Sequence, residues 1–518
     1  MTALVPDAAR RHGPVALGID LGTSSSKAVL VDTEGHVLAQ AAADYPVRSR
    51  QQGWAETDPD DWWAAVTRCV REVVGKAGVE PAAIGLAGQM HGLVLADESV
   101  APIRPALLWA DNRAVDMLGF YRALSQSQLA RLANPLTPGM AGPLLAWVAA
   151  HEPDNYERAR WALQPKDWLR ARLTAQVAAE PSDASATLLY DIPGDRWDLE
   201  LMSSLGLAPR LLAPLLDDSA ALAGTLTPGA AADLGLTAGI PVAAGAADTA
   251  AAALGSGVVD HDDVQLTVGT GAQVIRPVTS PLSRASSGVH LYRSAWSGSW
   301  YHMGASTNAG ITLNWVRAAM NASWEELYAS VDEPIRPSDP VFVPHLTGER
   351  TPYLNPHLRG SWTGLSLTHD RNTMLRSVLE GVAFAIAEAF ATLVGTEVPQ
   401  RLLLAGGGTA AQGWRQLLST AIGIALYAVD TPAASGRGAA LLGAHVAQLV
   451  SADDITGRLA PTSELVAEPQ ADLRAVTEER RGRFHQLVLR LGVASDVDCA
   501  LPQSSAPPDS GGTSHDRA

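Results

Sequence analysis

A glycine- and hydroxyl-rich turn near the start of the sequence has the residue types that bind phosphate. In GIDLGTSSSK (18–27), the backbone amides and hydroxyls of residues 23–25 can surround phosphate oxygens, and Lys27 adds a positive charge. Asp20 ends the preceding apolar run, where a carboxylate can bind Mg²⁺ directly or through water. An ordinary hairpin with a solvated aspartate is the alternative. The segment alone leaves both interpretations open.

A second turn of the same kind lies in the other half of the chain. VGTGAQV (268–274) repeats the Gly-Thr pair of the first turn, and Gly269 lies 247 residues after Gly22. Because each pair opens about half of the chain, the spacing indicates an internal duplication. Two such turns facing each other would form a nucleotide clamp between two lobes.

Asp248 is the one carboxylate in AGAADTAAAALG (244–255), a segment made mainly of alanine and glycine. A buried carboxylate requires a partner such as a helix N-terminus, a metal ion or a substrate hydroxyl. One interpretation is an N-cap for a helix at 249–255, and capping does not exclude catalysis. The wider stretch 239–259 is long enough to span a bilayer, but a central aspartate is costly in lipid. A buried strand, turn and helix is therefore predicted there.

Two further turns follow apolar runs. His91 lies in AGQMHG (87–92), where a histidine either makes a structural hydrogen bond or binds a ligand. In LLLAGGGTAAQGW (402–414), three glycines let the backbone approach a flat or anionic ligand. This turn also fits the degenerate dinucleotide fingerprint, with Asp430 ending a strand about 20 residues later. That fit gives an alternative function, an NAD-dependent oxidoreductase, which leaves both Gly-Thr turns unexplained.

Composition and charge describe an acidic globular protein. The 518 residues include 38 basic and 54 acidic side chains, a net charge of −16, and 47% are hydrophobic. This charge argues against non-specific binding to nucleic acid or to an anionic membrane, because both need a basic face. The two cysteines, Cys69 and Cys499, form no disulfide framework, which fits a reducing cytoplasm. The sequence holds no GxxxxGK[ST] segment, which excludes a Walker-type phosphate loop.

The hydrophobic pattern predicts alternating strands and helices. In the first half it predicts strands at 15–20, 27–32, 35–45 and 82–88 and a helix at 58–74. In the second half it predicts a strand–turn–strand unit at 264–278, a helix near 306–320, a loop-rich stretch at 344–356, an amphipathic helix at 372–394, a strand at 401–405, a helix from about 411, a strand at 425–430, an alanine-rich helix at 436–450 that completes the second lobe, and a helix at 472–492.

Ordered blocks across residues 15–450 resemble the FGGY family of carbohydrate kinases, and within it most closely the xylulokinases. The blocks include GIDLGTSSSKAVL, GLAGQMHG, PALLWADNR, LQPKDWLRARLT, SDASATLLYD, VAAGAADTAAAALGSG, TVGTG, PHLTGERTPYLNP and LLLAGGGTAAQGWRQLL. The resemblance implies an α/β fold of two actin-like lobes of the ribonuclease H type, with ATP and a sugar meeting in the interlobe cleft. The expected domains are a disordered leader at 1–13, an N-terminal lobe at 14–257, a C-terminal lobe at 258–495 and a disordered tail at 496–518.

The resemblance also implies roles for individual residues. Asp248 corresponds to the catalytic base and Asp20 to a catalytic carboxylate on the Mg·ATP side, and both are implied as metal ligands. The residues implied in the sugar pocket, together with Asp248, are Met90, His91, Trp109 and Arg113. The residues implied in ATP binding are Thr23, Ser24, Ser25, Lys27, Gly269, Thr270, Gly271, Gly310, Asn314, Gly407, Gly408 and Gln412.

The implied reaction transfers the γ-phosphoryl group of ATP, with Mg²⁺, to a ketopentose, and D-xylulose at O5 is the best match. Many xylulokinases have asparagine after the catalytic aspartate, whereas this chain has Thr249, so another pentulose or a pentitol stays open (ribulose, L-xylulose or arabinitol type). A non-catalytic actin-like sugar sensor is a further alternative, although a sensor needs no base. A cytoplasmic enzyme without nucleic-acid or membrane partners is expected, and a homodimer is one option for its assembly.

Overall fold

The computed structural model describes residues 13–296 and 298–499. The predicted leader and tail therefore lie outside the described residues, apart from Gly13 and residues 496–499. The described chain folds into two lobes, and each lobe is built around a mixed seven-stranded sheet.

The first sheet places three candidate site segments at one edge. Asp20 pairs with Ala87 on a parallel strand, and Gly88 of that strand pairs with Ala247. Because parallel strands end at the same edge, Asp20, the turn that follows Gly88 and the residue after Ala247 leave the sheet together. The strands, in spatial order, are Leu222–Thr225, Pro241–Ala243, Ala83–Gly88, Val15–Leu21, Ser25–Asp32 and Val37–Asp44, with Ala246–Ala247 beside Ala83–Gly88. All four strands predicted in the first half are confirmed.

The second sheet repeats the central pattern of the first. Gln265–Val268 runs antiparallel to Ala272–Val278 and parallel to Arg401–Ala405. In the first sheet, Val15–Leu21 likewise runs antiparallel to Ser25–Asp32 and parallel to Ala83–Gly88. This repetition confirms the predicted internal duplication. The strands, in spatial order, are His290–Arg293, Trp300–Ser306, Ala272–Val278, Gln265–Val268, Arg401–Ala405, Ala425–Val429 and Ser463–Ala467.

The helix predicted near 306–320 begins later than expected, at Gly310. Residues up to Ser306 belong to a strand instead, because Trp300–Ser306 pairs along the whole length of Ala272–Val278. The prediction missed this strand and its neighbour His290–Arg293.

Helices cover both sheets. In the first half they are Pro59–Ala77, Leu118–Arg122, Gln126–Leu132, Ala141–His151, Pro153–Arg158, Pro165–Thr174, Pro181–Ala184, Leu199–Ser204, Pro228–Leu234 and Asp248–Gly255. In the second half they are Gly310–Ala319, Trp324–Ala329, Arg371–Val394, Gln412–Ile422, Ala434–Val446, Ala452–Thr456 and Arg474–Cys499. Short strand pairs join Glu56–Thr57 to Ala106–Leu107, Val94–Ala96 to Trp161–Leu163, Tyr190–Asp191 to Arg196–Trp197, and Val341–Val343 to Ser361–Thr363.

The helix Arg371–Val394 forms the centre of the second lobe. It was predicted to be amphipathic, and that prediction is wrong, since 83% of its most apolar window is buried. By length and composition it is the one described helix that could cross a membrane, and its burial is that of a core helix. The stretch 239–259 forms the predicted strand, turn and helix.

The helix Ala434–Val446 packs on the first sheet, so the prediction that it completes the second lobe is wrong. The approach depends on small residues. A Cβ atom added to Gly18 would lie 1.8 Å from the carbonyl oxygen of Gly436, and one added to Gly85 would lie 1.7 Å from that of Ala439. Only backbone without a side chain fits between this helix and the strands.

Candidate active site

A cavity of about 450 Å³ lies between the lobes, and it brings together most of the predicted sugar-pocket residues. Met90, His91, Trp109 and Asp248 all line it. The remaining lining residues are Thr23, Ala110, Asn112, Thr137, Pro138, Gly139, Thr249, Gln273, Met303 and Arg350. The last three of these come from the second lobe, so both lobes form the cavity wall.

Asp248 is the first residue of the helix Asp248–Gly255, and the N-cap position belongs to Ala247. The interpretation of Asp248 as the N-cap is therefore wrong. Its Oδ1 accepts hydrogen bonds from the backbone nitrogen of Thr249 at 2.6 Å and from the Thr249 hydroxyl at 3.2 Å. Burial raises the pKa of the Asp248 carboxyl to about 6, and these hydrogen bonds limit the rise. The carboxylate is thus basic enough to accept a proton near neutral pH.

Asp20 lies close enough to Asp248 for the two charges to interact. Burial, followed by the charge of Asp248, raises the pKa of the Asp20 carboxyl to about 7, while Lys27 opposes the rise. Asp20 Oδ1 is buried and has no hydrogen-bond partner among the described residues. Two interacting carboxylates with an unpartnered oxygen fit a divalent cation, which prefers oxygen ligands.

His91 is held in an uncommon backbone conformation, with a φ of 73°. Its Nδ1 donates a hydrogen bond of 2.8 Å to the carbonyl oxygen of Ala186. Burial, together with the charge of Arg350, lowers the pKa of His91 to about 4, although the hydrogen bond to Ala186 opposes the fall. The imidazole is therefore neutral, and its Nε2 is left as an acceptor for a ligand hydroxyl.

Two buried side chains hold the first phosphate turn. The amide of Gly22 donates to the carbonyl oxygen of Ser25 at 3.1 Å, which closes the turn. The carbonyl oxygen of Gly22 accepts hydrogen bonds from Gln89 Nε2 at 2.9 Å and from the Tyr45 hydroxyl. The sequence interpretation did not include Gln89 or Tyr45. Lys27 is exposed on the next strand, where it pairs in register with Asp20.

The second phosphate turn lies against the start of a helix. The amide of Gly269 donates to the carbonyl oxygen of Gly271 at 2.8 Å, and the amide of Gly310 donates to that of Gly269 at 3.0 Å. A Cβ atom on Gly310 would lie 2.4 Å from the same oxygen, so this contact requires glycine. Asn314 lies one turn further along this helix, where its Oδ1 accepts from Arg317. The structure thus brings Gly310 against the turn, with Asn314 one helical turn further away.

The three-glycine turn adjoins the second phosphate turn. A Cβ atom on Gly408 would lie 2.9 Å from the carbonyl oxygen of Val268, which immediately precedes that turn. Gly407 begins a short 3₁₀ helix, and Gln412 begins the next α-helix. The side-chain amide of Gln412 donates to the carbonyl oxygen of Val466 at 2.8 Å. Gly408 therefore lies against the residue that precedes the second phosphate turn, whereas the Gln412 amide is engaged by Val466.

Arg113 lies behind the cavity wall and does not line it. Its Nε donates to Asp111 Oδ1 at 2.9 Å, and its Nη2 lies 2.8 Å from Glu56 Oε1. The guanidinium also stacks over the ring of Trp54 at 3.6 Å. Two carboxylates and an indole therefore engage the guanidinium of Arg113, and its sequence neighbour Asn112 lines the cavity instead.

Arg350 is a cavity residue that sequence reasoning missed. Its Nη2 lies 2.7 Å from His290 Nε2. Since a guanidinium can only donate, His290 Nε2 accepts, and His290 Nδ1 carries a proton for the Tyr292 oxygen 2.7 Å away. The block PHLTGERTPYLNP, which contains Arg350, was the available signal.

Two lobes of repeated topology, two glycine turns and a buried carboxylate beside a cavity are the parts of a phosphotransferase. The model of the N-terminal domain of the FGGY family of carbohydrate kinases matches residues 15–255, and that of its C-terminal domain matches residues 264–447. The chain therefore belongs to the FGGY family of carbohydrate kinases, and it is a phosphotransferase that acts on a sugar hydroxyl. The phosphate donor of this family is ATP, generally with a divalent metal ion.

Individual relatives agree with this assignment. The xylulose kinase of Escherichia coli K12 is 33% identical over 483 residues, which cover 92% of this chain and 99% of that protein. The xylulose kinase of Bacillus subtilis 168 is 31% identical over 437 residues, which cover 83% of this chain and 87% of that protein. The crystal structure of a xylulose kinase from Brucella ovis superposes with a TM-score of 0.87 at 32% identity. The superposition covers 93% of this chain and 100% of that chain. The predicted family and the two-lobed α/β fold are confirmed.

Proposed function

We propose that this kinase transfers the γ-phosphoryl group of ATP to O5 of D-xylulose, with Asp248 as the general base. The observation that carries the proposal is the placement of Asp248 in one cavity with Met90 and His91, the residues implied in the xylulokinase sugar pocket. The similarity to xylulose kinases over most of the chain supports the same substrate.

The side chains around the cavity supply the acid–base part of this reaction. Asp248, with a pKa of about 6, is mostly ionised at neutral pH and accepts the proton of the attacking hydroxyl. Neutral His91 accepts a hydrogen bond from another sugar hydroxyl and thereby orients the chain of the sugar. Thr249 donates its hydroxyl to Asp248, which holds the carboxylate in place.

The two phosphate turns supply the electrostatic part. In the first lobe, phosphate oxygens would be bound by the backbone amides and hydroxyls of Thr23, Ser24 and Ser25 and by Lys27. In the second lobe, they would be bound by residues 269–271. Asp20 and Asp248 would hold Mg²⁺, which when bound neutralises charge on the transferred phosphoryl group. Closure of the lobes around the cavity excludes water and limits ATP hydrolysis.

The position after the base favours a second candidate, a related pentulose or pentitol. The hydroxyl of Thr249 bonds to Asp248, whereas a longer asparagine would offer an amide to the sugar. The NAD-dependent oxidoreductase and the non-catalytic sensor lose support, because the chain belongs to a kinase family and has a base in its cavity. A cytoplasmic location and a homodimer stay predictions.

Coupled measurement of ADP release tests the proposal. We expect the highest kcat/KM with D-xylulose in a panel that also contains D-ribulose, L-ribulose, L-xylulose and pentitols. Asp248→Asn should lower kcat by about 10²–10⁴-fold while ATP binding is kept. The matched control is Asp260→Asn, which changes an exposed carboxylate of the same chain. Near-normal turnover in Asp248→Asn would remove Asp248 from the role of base, and a higher kcat/KM with another sugar would replace D-xylulose.

A further inference from the structure

Five buried ionisable side chains form a cluster in the first lobe that the proposed reaction does not use. Lys166, Asp167, Arg170, Glu180 and Asp183 are each at most 1% exposed. The ammonium of Lys166 lies 2.6 Å from Asp167 Oδ1 and 3.3 Å from Glu180 Oε1. Removing such groups from water is costly, so a purely structural role is better filled by apolar side chains. The buried charges of this cluster therefore need a role other than stabilising the fold.

The cluster lies against the strand ends that carry the candidate site. A Cβ atom on Gly88 would lie 2.7 Å from the Cβ of Lys166, so the lysine packs directly on the last residue of that strand. Gly88 pairs with Ala247, the residue before Asp248. The two strand ends that lead to Met90 and to Asp248 thus rest on one charged cluster.

Ser182 connects this cluster to the backbone beside Asp248. Its hydroxyl donates to Glu180 Oε1 at 2.8 Å and accepts from the amide nitrogen of Ala247 at 2.9 Å. A serine hydroxyl has one proton, which Ser182 uses to donate its hydrogen bond to the Glu180 carboxylate. A lone pair of the same oxygen therefore accepts the hydrogen bond of the Ala247 amide. Lys166, Glu180 and Ser182 therefore form a chain of polar contacts that ends one residue before Asp248.

We propose that Ser182, held by Glu180 and Lys166, is a positioning residue for Asp248. It fixes the backbone at Ala247 and so sets the place from which the carboxylate reaches the sugar hydroxyl. The inference rests on the proposed role of Asp248 as the base. A displacement of about 1 Å at a reacting group can cost about 10²-fold in rate.

Ser219 provides a matched control. Its hydroxyl donates to the other oxygen of the same carboxylate, Glu180 Oε2, also at 2.8 Å, and the residue is 1% exposed. Among the described residues its side chain has no hydrogen bond to Ala247. Ser182→Ala and Ser219→Ala therefore remove equivalent hydrogen bonds from Glu180, but only the first removes the acceptor of the Ala247 amide.

The test measures kcat, both KM values and Tm of the two variants, with the pentulose or pentitol that the wild type uses best. We expect similar losses of Tm in both variants and a fall of kcat only in Ser182→Ala, by about 10- to 100-fold, with KM for ATP unchanged. Ser182→Thr, which keeps the hydroxyl, should restore kcat. A kcat of Ser182→Ala within twofold of the wild type, or an equal loss in Ser219→Ala, would overturn the proposal.

Hydrogen exchange gives a readout that needs no substrate. In the peptide 244–255 we expect faster amide exchange in Ser182→Ala than in Ser219→Ala, and equal exchange would overturn the proposal. Failure of the proposed function would show separately, as a wild type inactive on every sugar or as an active Asp248→Asn. If Ser182→Ala does not fold, Ser182→Cys keeps the size with a weaker acceptor. An intermediate kcat is then expected, and a wild-type kcat would overturn the proposal.

Discussion

The indole Nε1 of Trp109 donates a hydrogen bond of 2.9 Å to the hydroxyl oxygen of Thr23. Thr23 belongs to the first phosphate turn, and both side chains line the interlobe cavity. Gly139 lets its loop pack directly against the backbone of Trp109, since a Cβ atom there would lie 1.9 Å from the Trp109 carbonyl oxygen. One hydrogen bond therefore joins the wall of the interlobe cavity to the glycine turn that follows Asp20.

Replacing Trp109 by phenylalanine should affect both substrates. The ring stays, but Thr23 loses its donor, and a neutral hydrogen bond contributes about 1 kcal/mol, or about fivefold in an equilibrium. We expect kcat/KM to fall by about 3- to 10-fold for the sugar and for ATP together. Steady-state kinetics with each substrate varied measures this. Trp161→Phe is the control, because its Nε1 has no hydrogen-bond partner among the described residues. A change confined to one substrate would contradict the link.

The raised pKa of Asp20 makes the stability of the metal-free protein depend on pH. The folded pKa is about 7 and the ordinary value is 3.8, so the folded state holds the proton more tightly than the unfolded state. This contribution is fully present below pH 3.8 and is lost as pH rises from 3.8 to about 7. Asp20→Asn should therefore melt about 2–5 °C higher than the wild type at pH 8 and by a smaller margin at pH 5, with the difference vanishing below about pH 3.8.

Calorimetry with and without Mg²⁺ checks this expectation. Mg²⁺ should raise the Tm of the wild type at pH 8, and it should do so less in Asp20→Asn, because a carboxylate ligand is missing. Asp20→Asn should also lose most of its turnover. A lower Tm than the wild type at pH 8 would show that the buried carboxylate stabilises the metal-free protein.

Arg350→Lys should weaken sugar binding selectively. Lysine lacks the forked donors that reach His290 and the cavity together. We expect the sugar KM to rise by about 10-fold with the KM for ATP within twofold. Arg359→Ala is the control, since within the described part of the chain that exposed arginine of the same loop bonds only to the carbonyl oxygens of Pro356 and Leu358. An unchanged sugar KM would show that Arg350 does not contact the sugar.

Two glycines of the first lobe should respond oppositely to alanine. Gly85→Ala places a Cβ 1.7 Å from the Ala439 carbonyl oxygen and should destabilise the protein by about 3 kcal/mol or more. Gly75 lies inside the helix Pro59–Ala77 with open space around it, so Gly75→Ala should stabilise by about 0.5–1 kcal/mol. Thermal and urea unfolding measure both. Equal effects would contradict the close packing of Ala434–Val446 on the sheet.

Local sequence patterns were sufficient for the strand ends of the candidate site. Asp20 follows an apolar strand and precedes a glycine turn, and Asp248 precedes an alanine-rich helix, so the sequence neighbours of each predict its position. Contacts between distant segments could not be predicted in this way. Arg350 reaches His290 across 60 residues of sequence, and no periodicity encodes that contact.

Arg113 shows the same limit. Its place in PALLWADNR predicts that it lines or buttresses the sugar pocket, and only its contact with Glu56, a partner 57 residues earlier, shows that its guanidinium lies behind the cavity wall. The helix Ala434–Val446 was assigned to the wrong lobe because its alanine-rich pattern shows that it is buried without showing which sheet covers it. Burial is readable from composition, whereas the identity of the neighbour depends on the tertiary fold.

Because the helix Ala434–Val446 packs on the first sheet, the two halves of the chain cannot be separated without breaking a core contact. A fragment ending near residue 257 would leave a glycine-lined sheet face open to water, and the complementary fragment would carry an unpartnered apolar helix. Exchanging the C-terminal half with that of a relative would also exchange part of the core of the N-terminal half. Hybrid enzymes of this kind should work only when the donor helix matches the recipient strands in size.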